Sequence, residues 1–370
     1  MQIPLNDPIP WMQPYLSGKE QEYVQDALES TWLSSGKYID NLESLMSKFV
    51  NVRYAMTCAN GTAALHLAFL ALNIQAGDEV ILPSFGFMAA ANVLKQLKAK
   101  TIFVDIDPDT WCMSVQGLSR ALNRNTKAII VIHPLGNLCD MDQILNLARI
   151  HNVPIIEDAA EGFPSRYKTR VAGSLGLIGT FSFQATKTIA TGEGGMIVTN
   201  NREIAEKIKL YKSHGMKRQK HYWHELPGLN YRLTNIQAAL GCAQFESLDK
   251  IINMRRTMYK HYCKFLTNQE GISMQVISSN VSAVMWAVAV LLDTNYFPQG
   301  RDEVMKEMSN QMIETRPGFY TPYALGYFGC DKMPTSENIT SRVIMLPSWP
   351  GLIESQIKHI CESLLSLRNN

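Results

Sequence analysis

Residues 182–195, SFQATKTIATGEGG, place a single lysine, Lys187, between an apolar run and a glycine-rich turn. A lysine held on a tight connection beside apolar strands loses hydration, which lowers the pKa of its amine and makes it a usable nucleophile. The segment therefore indicates an amine that can bond covalently to a carbonyl compound. The alternative is a solvated loop lysine, because a lone lysine is usually exposed.

A carboxylate stands at the end of a second apolar run. Asp158 ends VPIIED, at the predicted carboxyl end of a strand, where a buried carboxylate needs a compensating partner. A protonated pyridine nitrogen is such a partner, because an aspartate keeps the ring of pyridoxal phosphate able to accept electrons. The alternative for Asp158 is the N-cap of a helix.

A phosphate site is indicated by ANGTAALHLAFLAL, residues 59–72. Asn60, Gly61 and Thr62 open an apolar helix, and the free N–H groups and positive dipole end of a helix start can hold a phosphate. The hydroxyl of Ser182 is a second candidate donor to the same phosphate. Any capped helix start has this pattern, so the assignment depends on the other elements.

Two groups of histidines are candidates for metal or acid–base sites. His133 lies in VIHPLG, and the run HYWH spans residues 221–224. Their spacing matches no zinc pattern, so no metal site is predicted. Packing, or a contact at the rim of a substrate site, is the interpretation that remains.

The elements that position these residues alternate between strand and helix. Helical periodicity is found from Lys19 to about Ser30 and again around Leu42, Leu45, Met46 and Phe49. Six short β-branched runs follow: GDEVILP, AKTIFVDID, TKAIIVIHP, VPIIED, IGTFSF and GGMIVTN. Apolar strands that alternate with helices predict an α/β fold with a mostly parallel sheet covered on both faces, in which ligands bind beyond the carboxyl ends of the strands.

A length of 370 residues suits a large domain with a smaller second one. Residues 234–266 read as one long helix or two abutting helices that lead out of the large domain. The apolar strand AVMWAVAVLL and a final helix near 354–367 give the remainder the content of a small α/β domain. We predict a large domain over residues 1–245 and a small C-terminal domain over residues 246–370.

Composition narrows the class of protein. The chain has 46% apolar and 18% charged residues, which favours a globular protein with a sizeable core over a disordered one. Its 35 basic and 33 acidic residues leave a net charge of +2 without a basic run, so we expect neither nucleic-acid nor membrane binding. The seven scattered cysteines show no CxxC spacing and the N-terminus has no secretion signal, which predicts reduced thiols and a cytoplasmic protein.

Several motifs occur in the order typical of one family. They are TWLSSGKYIDNLE, NGTAALHLA, GDEVILPSFGFMAAAN, EDAAE, FSFQATKTIATGEGG, GLNYRLTNIQAALG and LPSWPGL. In these blocks the chain resembles, over nearly its whole length, the DegT/StrS-type pyridoxal-phosphate-dependent sugar aminotransferases. The resemblance implies the fold of type I pyridoxal-phosphate enzymes, which is like that of aspartate aminotransferase.

The resemblance also implies roles for individual residues. Lys187 is then the lysine that bonds to the cofactor and moves the proton, and Asp158 is the partner of the pyridine nitrogen. Phe87 stacks on the cofactor ring; the alternative for Phe87 is an ordinary core residue. The implied cofactor contacts are Gly61, Thr62, Phe87, Asp158, Glu161, Ser182, Lys187 and Asn230. The implied substrate contacts are Ser35, Arg316 and Tyr320.

Asn230 is expected to reach the phosphate from a second subunit, so the resemblance implies a homodimer with shared sites. The segment ETRPGFY departs from the family, because Tyr320 and Tyr323 stand where relatives often have histidines. The segment HPLGN also departs, because relatives commonly have an aromatic residue before the glycine.

The implied activity is transamination, with L-glutamate as donor and a keto group of a nucleotide-linked deoxy sugar as acceptor. GEGGM, HYWHELPGLNYRLTNIQAA and LPSWPGL are most similar to members that aminate C4 of a 4-keto-6-deoxy sugar for O-antigen and related polysaccharide biosynthesis. SFQATK is more similar to other 4-aminotransferases of the family. A sugar 3-dehydratase, in which histidine replaces the lysine, and a catalytically silent regulator remain as alternatives, and the intact Lys187 and Asp158 count against both.

Overall fold

The computed structural model describes residues 7–217, 220 and 222–369. Its strands, in chain order, are β1 (Tyr54–Cys58), β2 (Glu79–Pro83), β3 (Lys100–Val104), β4 (Thr126–Ile132), β5 (Ile155–Asp158), β6 (Arg166–Tyr167), β7 (Arg170–Val171), β8 (Ile178–Ser182), β9 (Gly195–Thr199), β10 (Ile272–Met274), β11 (Val281–Ser282), β12 (Val288–Leu292), β13 (Arg316–Pro317) and β14 (Val343–Leu346). The six predicted apolar runs are all strands, and β1 is a further strand that the sequence reading missed.

Thirteen helices are found in the described residues. They are α1 (Lys19–Glu29), α2 (Lys37–Val50), α3 (Gly61–Ala71), α4 (Ala89–Gln96), α5 (Val115–Ala121), α6 (Met141–His151), α7 (Arg202–Lys212), α8 (Asn235–Glu246), α9 (Leu248–Leu266), α10 (Gly300–Asn310), α11 (Pro322–Leu325), α12 (Pro334–Arg342) and α13 (Glu354–Ser366). None of these helices is both long enough and apolar enough to cross a membrane.

The large sheet has seven strands in the order β1-β9-β8-β5-β4-β2-β3. Every neighbouring pair is parallel except the two pairs that β9 makes with β8 and β1. Only β9 is therefore reversed, and the carboxyl ends of the other six strands meet at one edge, where β9 begins. The prediction of a mostly parallel sheet is confirmed.

Both faces of this sheet are buried, as its near-continuous apolar strands predict. In β2 and β4 alternate side chains enter different cores, with Ile81 and Ile129 on one face and Val80 and Ile130 on the other. The first core is closed by helices that include α2, α6 and α8, and the second by α3, α4 and α7. The two helical layers fix the sheet edge that carries the candidate site.

A second sheet has four antiparallel strands in the order β10-β12-β14-β13. Its apolar residues share a core with α9, α13 and α10, and this core also takes in Ile9, Trp111 and Leu135 from the first half of the chain. The predicted helix over residues 234–266 is two helices, because the chain bends at Ser247 between α8 and α9. The domain boundary between residues 245 and 246 stays a prediction.

The run AVMWAVAVLL is only in part a strand, with β12 limited to Val288–Leu292. Before it, the backbone N–H of Val284 donates to Ser165 Oγ at 2.8 Å, and that of Trp286 donates to Leu135 O at 2.9 Å. These bonds hold residues 284–286 against the loops that follow β4 and β5 and not in a strand ladder. The apolar run therefore links the carboxyl ends of these two strands to the four-stranded sheet.

Candidate active site

Lys187 lies on the connection between β8 and β9, two adjacent antiparallel strands. This lysine turn, residues 183–194, is closed by backbone hydrogen bonds from Phe183 N to Gly194 O at 2.8 Å and from Ala185 N to Gly192 O at 2.9 Å. Gly192 has φ of 80°, a left-handed conformation that glycine adopts without a Cβ penalty. The backbone around Lys187 is thus held at both ends by the sheet.

The Lys187 side chain is mostly covered, with 13% of it exposed. Its Nζ is 3.7 Å from Glu161 Oε1 and 3.7 Å from the ring centroid of Trp286. Burial lowers the pKa of the Lys187 amine, although the charges of Glu161 and Asp158 oppose that shift. The alternative of a solvated loop lysine is wrong, and the predicted low-dielectric setting is found.

Two carboxylates lie near this amine. Asp158 is the last residue of β5 and its Oδ1 accepts a hydrogen bond from Ala160 N at 3.1 Å. Glu161 Oε2 accepts one from Leu135 N at 3.0 Å. Burial raises the pKa of both carboxyls, against the lowering effects of these bonds and of the Lys187 charge. Turns follow Asp158, so the alternative of a helix N-cap is wrong.

The candidate phosphate site lies where α3 begins. The Asn60 side chain caps the helix by accepting from Ala63 N at 2.8 Å, which leaves the first turn facing the strand ends. A Cβ added at Gly61 would lie 3.0 Å from Ser182 Cβ, a tight contact, so glycine lets the helix start approach Ser182 this closely without a shift. Thr62 follows on an exposed position. Gly61 and Ser182, which come from separate motifs, are brought together, and Thr62 follows Gly61 in the first turn of α3.

Phe87 is 63% exposed at the same edge, so the alternative of a core residue is wrong. Its ring meets that of Phe319 at a centroid distance of 6.3 Å and an interplanar angle of 71°. An exposed phenyl ring supported from behind is suited to stacking on a flat ligand. Phe319 was not predicted, because nothing in the sequence distinguishes it from an ordinary apolar residue.

The Asn230 side chain is exposed, and its Oδ1 accepts a hydrogen bond from Arg232 Nε at 3.0 Å. The next residue, Tyr231, accepts at its carbonyl from Ala59 N at 2.8 Å, which ties this segment to the residue before Asn60. Ser35 is exposed just before α2. Neither Asn230 nor Ser35 makes a recorded contact with Lys187 among the described residues, and their roles stay predictions.

The predicted substrate contacts in the second half of the chain lie apart from each other. The Arg316 guanidinium pairs with Glu314 and lies 5.7 Å from the ring of Trp11, whose edge packs on Trp286. The ring of Tyr320 instead lies 5.8 Å from the guanidinium of Arg301. Arg316 is therefore connected to the lysine through two indole rings, whereas Tyr320 is turned towards α10. Both roles remain predictions.

The histidines are placed by packing in the described part of the chain. His133 is fully buried, and its Nε2 lies 3.0 Å from Glu157 Oε2. His224 is exposed, with Nδ1 2.7 Å from the carbonyl of His214. His221, the first residue of the HYWH run, lies outside the described residues. The prediction of a packing role therefore fits His133.

Together these side chains fit pyridoxal phosphate. A buried amine, a buried carboxyl without a cationic hydrogen-bond partner in the described structure, an exposed ring and a glycine-opened helix start converge at one sheet edge. Each matches one part of that molecule: the aldehyde, the pyridine nitrogen, the ring face and the phosphate. Trp286, which the sequence reading treated only as part of a strand, is an additional wall of the site.

The chain is similar to known proteins over nearly its whole length. The model of the DegT/DnrJ/EryC1/StrS aminotransferase family matches residues 14–365. Over 359 residues the chain is 42% identical to GDP-perosamine synthase of Escherichia coli O157:H7, covering 96% of this chain and 97% of the relative. Over 368 residues it is 39% identical to GDP-perosamine synthase of Vibrio cholerae, covering 98% and 99%.

The solved structures agree with the fold. The aminotransferase TlmJ from Streptoalloteichus hindustanus superposes with a TM-score of 0.92 at 25% identity, covering 97% of this chain and 98% of that one. The predicted fold of type I pyridoxal-phosphate enzymes and the resemblance inferred from the motifs are confirmed. The family depends on pyridoxal phosphate. The chain belongs to the DegT/DnrJ/EryC1/StrS aminotransferase family.

Proposed function

We propose that this aminotransferase moves an amino group from L-glutamate to the C4 keto group of a GDP-linked 4-keto-6-deoxy sugar. The observation that carries the chemistry is the buried Lys187 amine, held beside Asp158 and Glu161 at the carboxyl edge of the sheet. The sugar and the nucleotide are supported by the 42% identity to a GDP-perosamine synthase. The relatives' names also support a role in the synthesis of a polysaccharide such as O-antigen.

Pyridoxal phosphate, when bound, supplies a ring that accepts the electron pair of the C–H bond broken at the carbon that carries the amine. Lys187 would bind its aldehyde and move the proton, since burial favours the neutral amine over the ammonium. Asp158 would hold the pyridine N–H, and this positive partner would offset the burial that raises the pKa of the Asp158 carboxyl.

The remaining residues would bind and orient. The start of α3 with Gly61 and Thr62, together with Ser182, would hold the phosphate through N–H and hydroxyl donors. Phe87 would lie against one face of the ring. Glu161 is already fixed by Leu135 N, so its second oxygen can face the ring substituents and Lys187.

The assembly is part of the proposal. We infer a homodimer in which Asn230 of the partner subunit adds a donor to the phosphate, and Ser35, Arg316 and Tyr320 contact the sugar nucleotide. Exposed apolar side chains at Leu28, Trp32 and Leu33, close to Ser35, support a protein interface on this side. All seven cysteines are free thiols, which supports the cytoplasm as the site of action.

The test is an assay of the full-length protein with pyridoxal phosphate, L-glutamate and a GDP-linked 4-keto-6-deoxy hexose. We expect equal amounts of 2-oxoglutarate and a GDP-linked amino sugar, measured by mass spectrometry, with the amine placed at C4 by NMR. The same sugar linked to UDP or dTDP is the control. Amination of a control sugar but not of the GDP-linked one would overturn the nucleotide assignment, and amination at C3 would overturn the position.

A further inference from the structure

Trp286 makes two separate contacts with the lysine turn. Its ring face lies 3.7 Å from Lys187 Nζ, measured to the ring centroid. Its Nε1 donates a hydrogen bond to the carbonyl oxygen of Thr186, the residue before Lys187, at 2.8 Å. One indole therefore touches the amine with its face and the lysine's own backbone with its edge.

The indole itself is fixed by its surroundings. Trp286 is 4% exposed, and its backbone N–H donates to Leu135 O at 2.9 Å. Its carbonyl accepts from the buried guanidinium of Arg255 at 2.9 Å. The edge of the Trp11 ring packs against it at a centroid distance of 5.6 Å and an interplanar angle of 88°. A ring held on all these sides can define where a flexible lysine side chain rests.

We propose that Trp286 is a positioning residue for Lys187: its ring face holds the ε-amine at the reacting centre while its N–H anchors the turn that carries the lysine. This inference rests on the proposed function of Lys187. Transamination leaves the lysine amine free for part of each cycle, and a four-carbon side chain without a fixed contact would then leave its working position. The indole face gives the amine such a contact when Lys187 is protonated, as it is once it has accepted the proton from the substrate carbon.

The groups that face Lys187 act on the pKa of its amine in both directions. Glu161 and Asp158 favour the ammonium, whereas Arg255 disfavours it. Burial lowers the pKa of the Lys187 amine further than these charges raise it. The negative face of the indole also favours the ammonium, so replacing the ring by an alkyl group should lower the pKa of Lys187 further.

The experiment measures this pKa directly in the full-length protein freed of cofactor. A small acylating reagent modifies only neutral amines, so the rate of Lys187 modification against pH, followed by peptide mass spectrometry, gives its pKa. Trp286→Leu should lower that pKa by about one unit, which is a tenfold change in the neutral fraction at fixed pH. Trp286→Phe keeps a ring face, so the pKa of Lys187 in this variant should stay close to the wild-type value.

The second contact is tested with the same variants. Both Trp286→Leu and Trp286→Phe remove the Nε1 donor to Thr186 O, so amide hydrogen exchange in the lysine turn should become faster in both. The pKa of Lys187 thus reports the contact with the ring face, and the amide hydrogen exchange reports the hydrogen bond of the indole N–H. If Trp286→Leu does not fold, Trp286→Met also lacks a ring, and its flexible unbranched side chain adapts better to the space that the indole leaves.

Trp349 is the matched control. It is also 4% exposed and belongs to the same core as Trp286, and its Nε1 donates to the carbonyl of Pro10 at 3.1 Å. No lysine contact with its ring is found in the described residues. Trp349→Leu and Trp349→Phe should therefore leave the pKa of Lys187 unchanged.

An unchanged Lys187 pKa in Trp286→Leu, or an equal fall in Trp349→Leu, would overturn the proposal. A failure of the proposed function is detected separately. Borohydride reduction of the wild-type holoenzyme followed by peptide mapping should find the reduced cofactor on Lys187. A cofactor found on another lysine removes the catalytic assignment, whereas the contact between Trp286 and Lys187 is still judged by the pKa comparison.

Discussion

Burial acts on the amine and the carboxyls of the site in opposite directions. It lowers the pKa of Lys187 and raises those of Asp158 and Glu161, so each group is moved towards its neutral form. A neutral amine is what a nucleophile and proton acceptor needs. A buried carboxyl becomes a stronger anionic acceptor when a cation such as a pyridinium N–H is placed against it. The site is therefore suited to a ligand that places a positively charged group against the Asp158 carboxyl.

We expect Asp158→Asn to keep the fold and most of the bound cofactor while the half-reaction with L-glutamate slows by about 100-fold or more. An amide cannot hold the pyridine nitrogen in its protonated form, so the ring accepts electrons poorly. Stopped-flow absorbance of the cofactor during a single turnover measures this rate. A near-normal rate would show that the Asp158 carboxylate has another role.

Glu157→Gln is the matched control, because Glu157 is the neighbouring buried carboxylate in β5. Its oxygens accept from the backbone N–H groups of Gly173, Leu175 and Gly176, not from the lysine turn. This variant should lose stability and leave the half-reaction rate of the folded fraction unchanged. A loss of rate equal to that of Asp158→Asn would mean that any change in β5 disables the site.

At the scale of single residues, the sequence identifies the side chains that lie at the ends of strands or at the starts of helices. Lys187, Asp158, Ser182 and Gly61 follow or precede recognisable runs, and strand ends meet at one edge, so their proximity is predictable. Trp286 and Phe319 are not predictable in this way. Each reaches the site through packing between the two sheets, and each lies in a segment whose pattern is that of ordinary core.

At the scale of elements, α12 is joined to the large sheet by a carboxylate from another element. The N-cap residue of α12, Met333, makes no side-chain hydrogen bond to the start of the helix. Asp105, just after β3, accepts instead from Thr335 N and Ser336 N, both at 2.9 Å. Burial raises the pKa of the Asp105 carboxyl, but these and other hydrogen bonds outweigh it and leave the pKa below its usual value. A helix that lies far along the chain thus depends on a residue of the large sheet.

Asp105→Asn should lower stability by about 1–2 kcal/mol at pH 7, because the helix loses a charged acceptor at its positive end. The folded pKa lies below the unfolded one, so the wild-type advantage is complete above about pH 4 and is lost as the pH falls through the folded pKa. Thermal denaturation of both proteins from pH 7 to pH 3.5 measures this. The difference in melting temperature should narrow at acid pH.

Asp107→Asn is the control for this prediction, since Asp107 Oδ1 accepts from Thr110 N within its own loop. Amide exchange of residues 334–342 should rise in Asp105→Asn and not in Asp107→Asn. A melting-temperature difference that stays constant with pH would contradict the charge-based explanation.

The alternation of strands and helices predicts every strand of the large sheet except β1. The cap of α12 is not predictable in this way, because Asp105 lies more than 200 residues before the helix and leaves no local signal in the sequence.

At the scale of the whole molecule, the proposed dimer makes each site depend on two chains. The segment around Asn230 is anchored by Tyr231 O to Ala59 N, so its exposed side chain projects from a fixed backbone. A two-fold axis beside this segment would place each Asn230 at the other subunit's phosphate site and give two composite sites. The single chain would then be inactive.

Mixing Lys187→Ala with Asn230→Ala tests the shared site. If the sites are composite, each mixed dimer has one site with both changes and one with neither, and random exchange of equal amounts should restore about a quarter of wild-type activity. Each variant alone is the baseline, and mass spectrometry of the intact dimers confirms that subunits have exchanged. Exchange without any recovery would place Asn230 in its own chain's site, or outside both sites.

The reversal of β9 has a consequence for how the protein is made. In the large sheet β1 pairs with β9 alone, and α3, which begins at the proposed phosphate site, follows directly after β1. About 140 residues separate the two strands, and a ribosome adds roughly 5–20 residues per second, so β1 has no partner for on the order of ten seconds of translation. During that time the emerging chain carries an unpaired strand, and the large sheet beside the proposed cofactor site is complete only when residue 199 has left the exit tunnel.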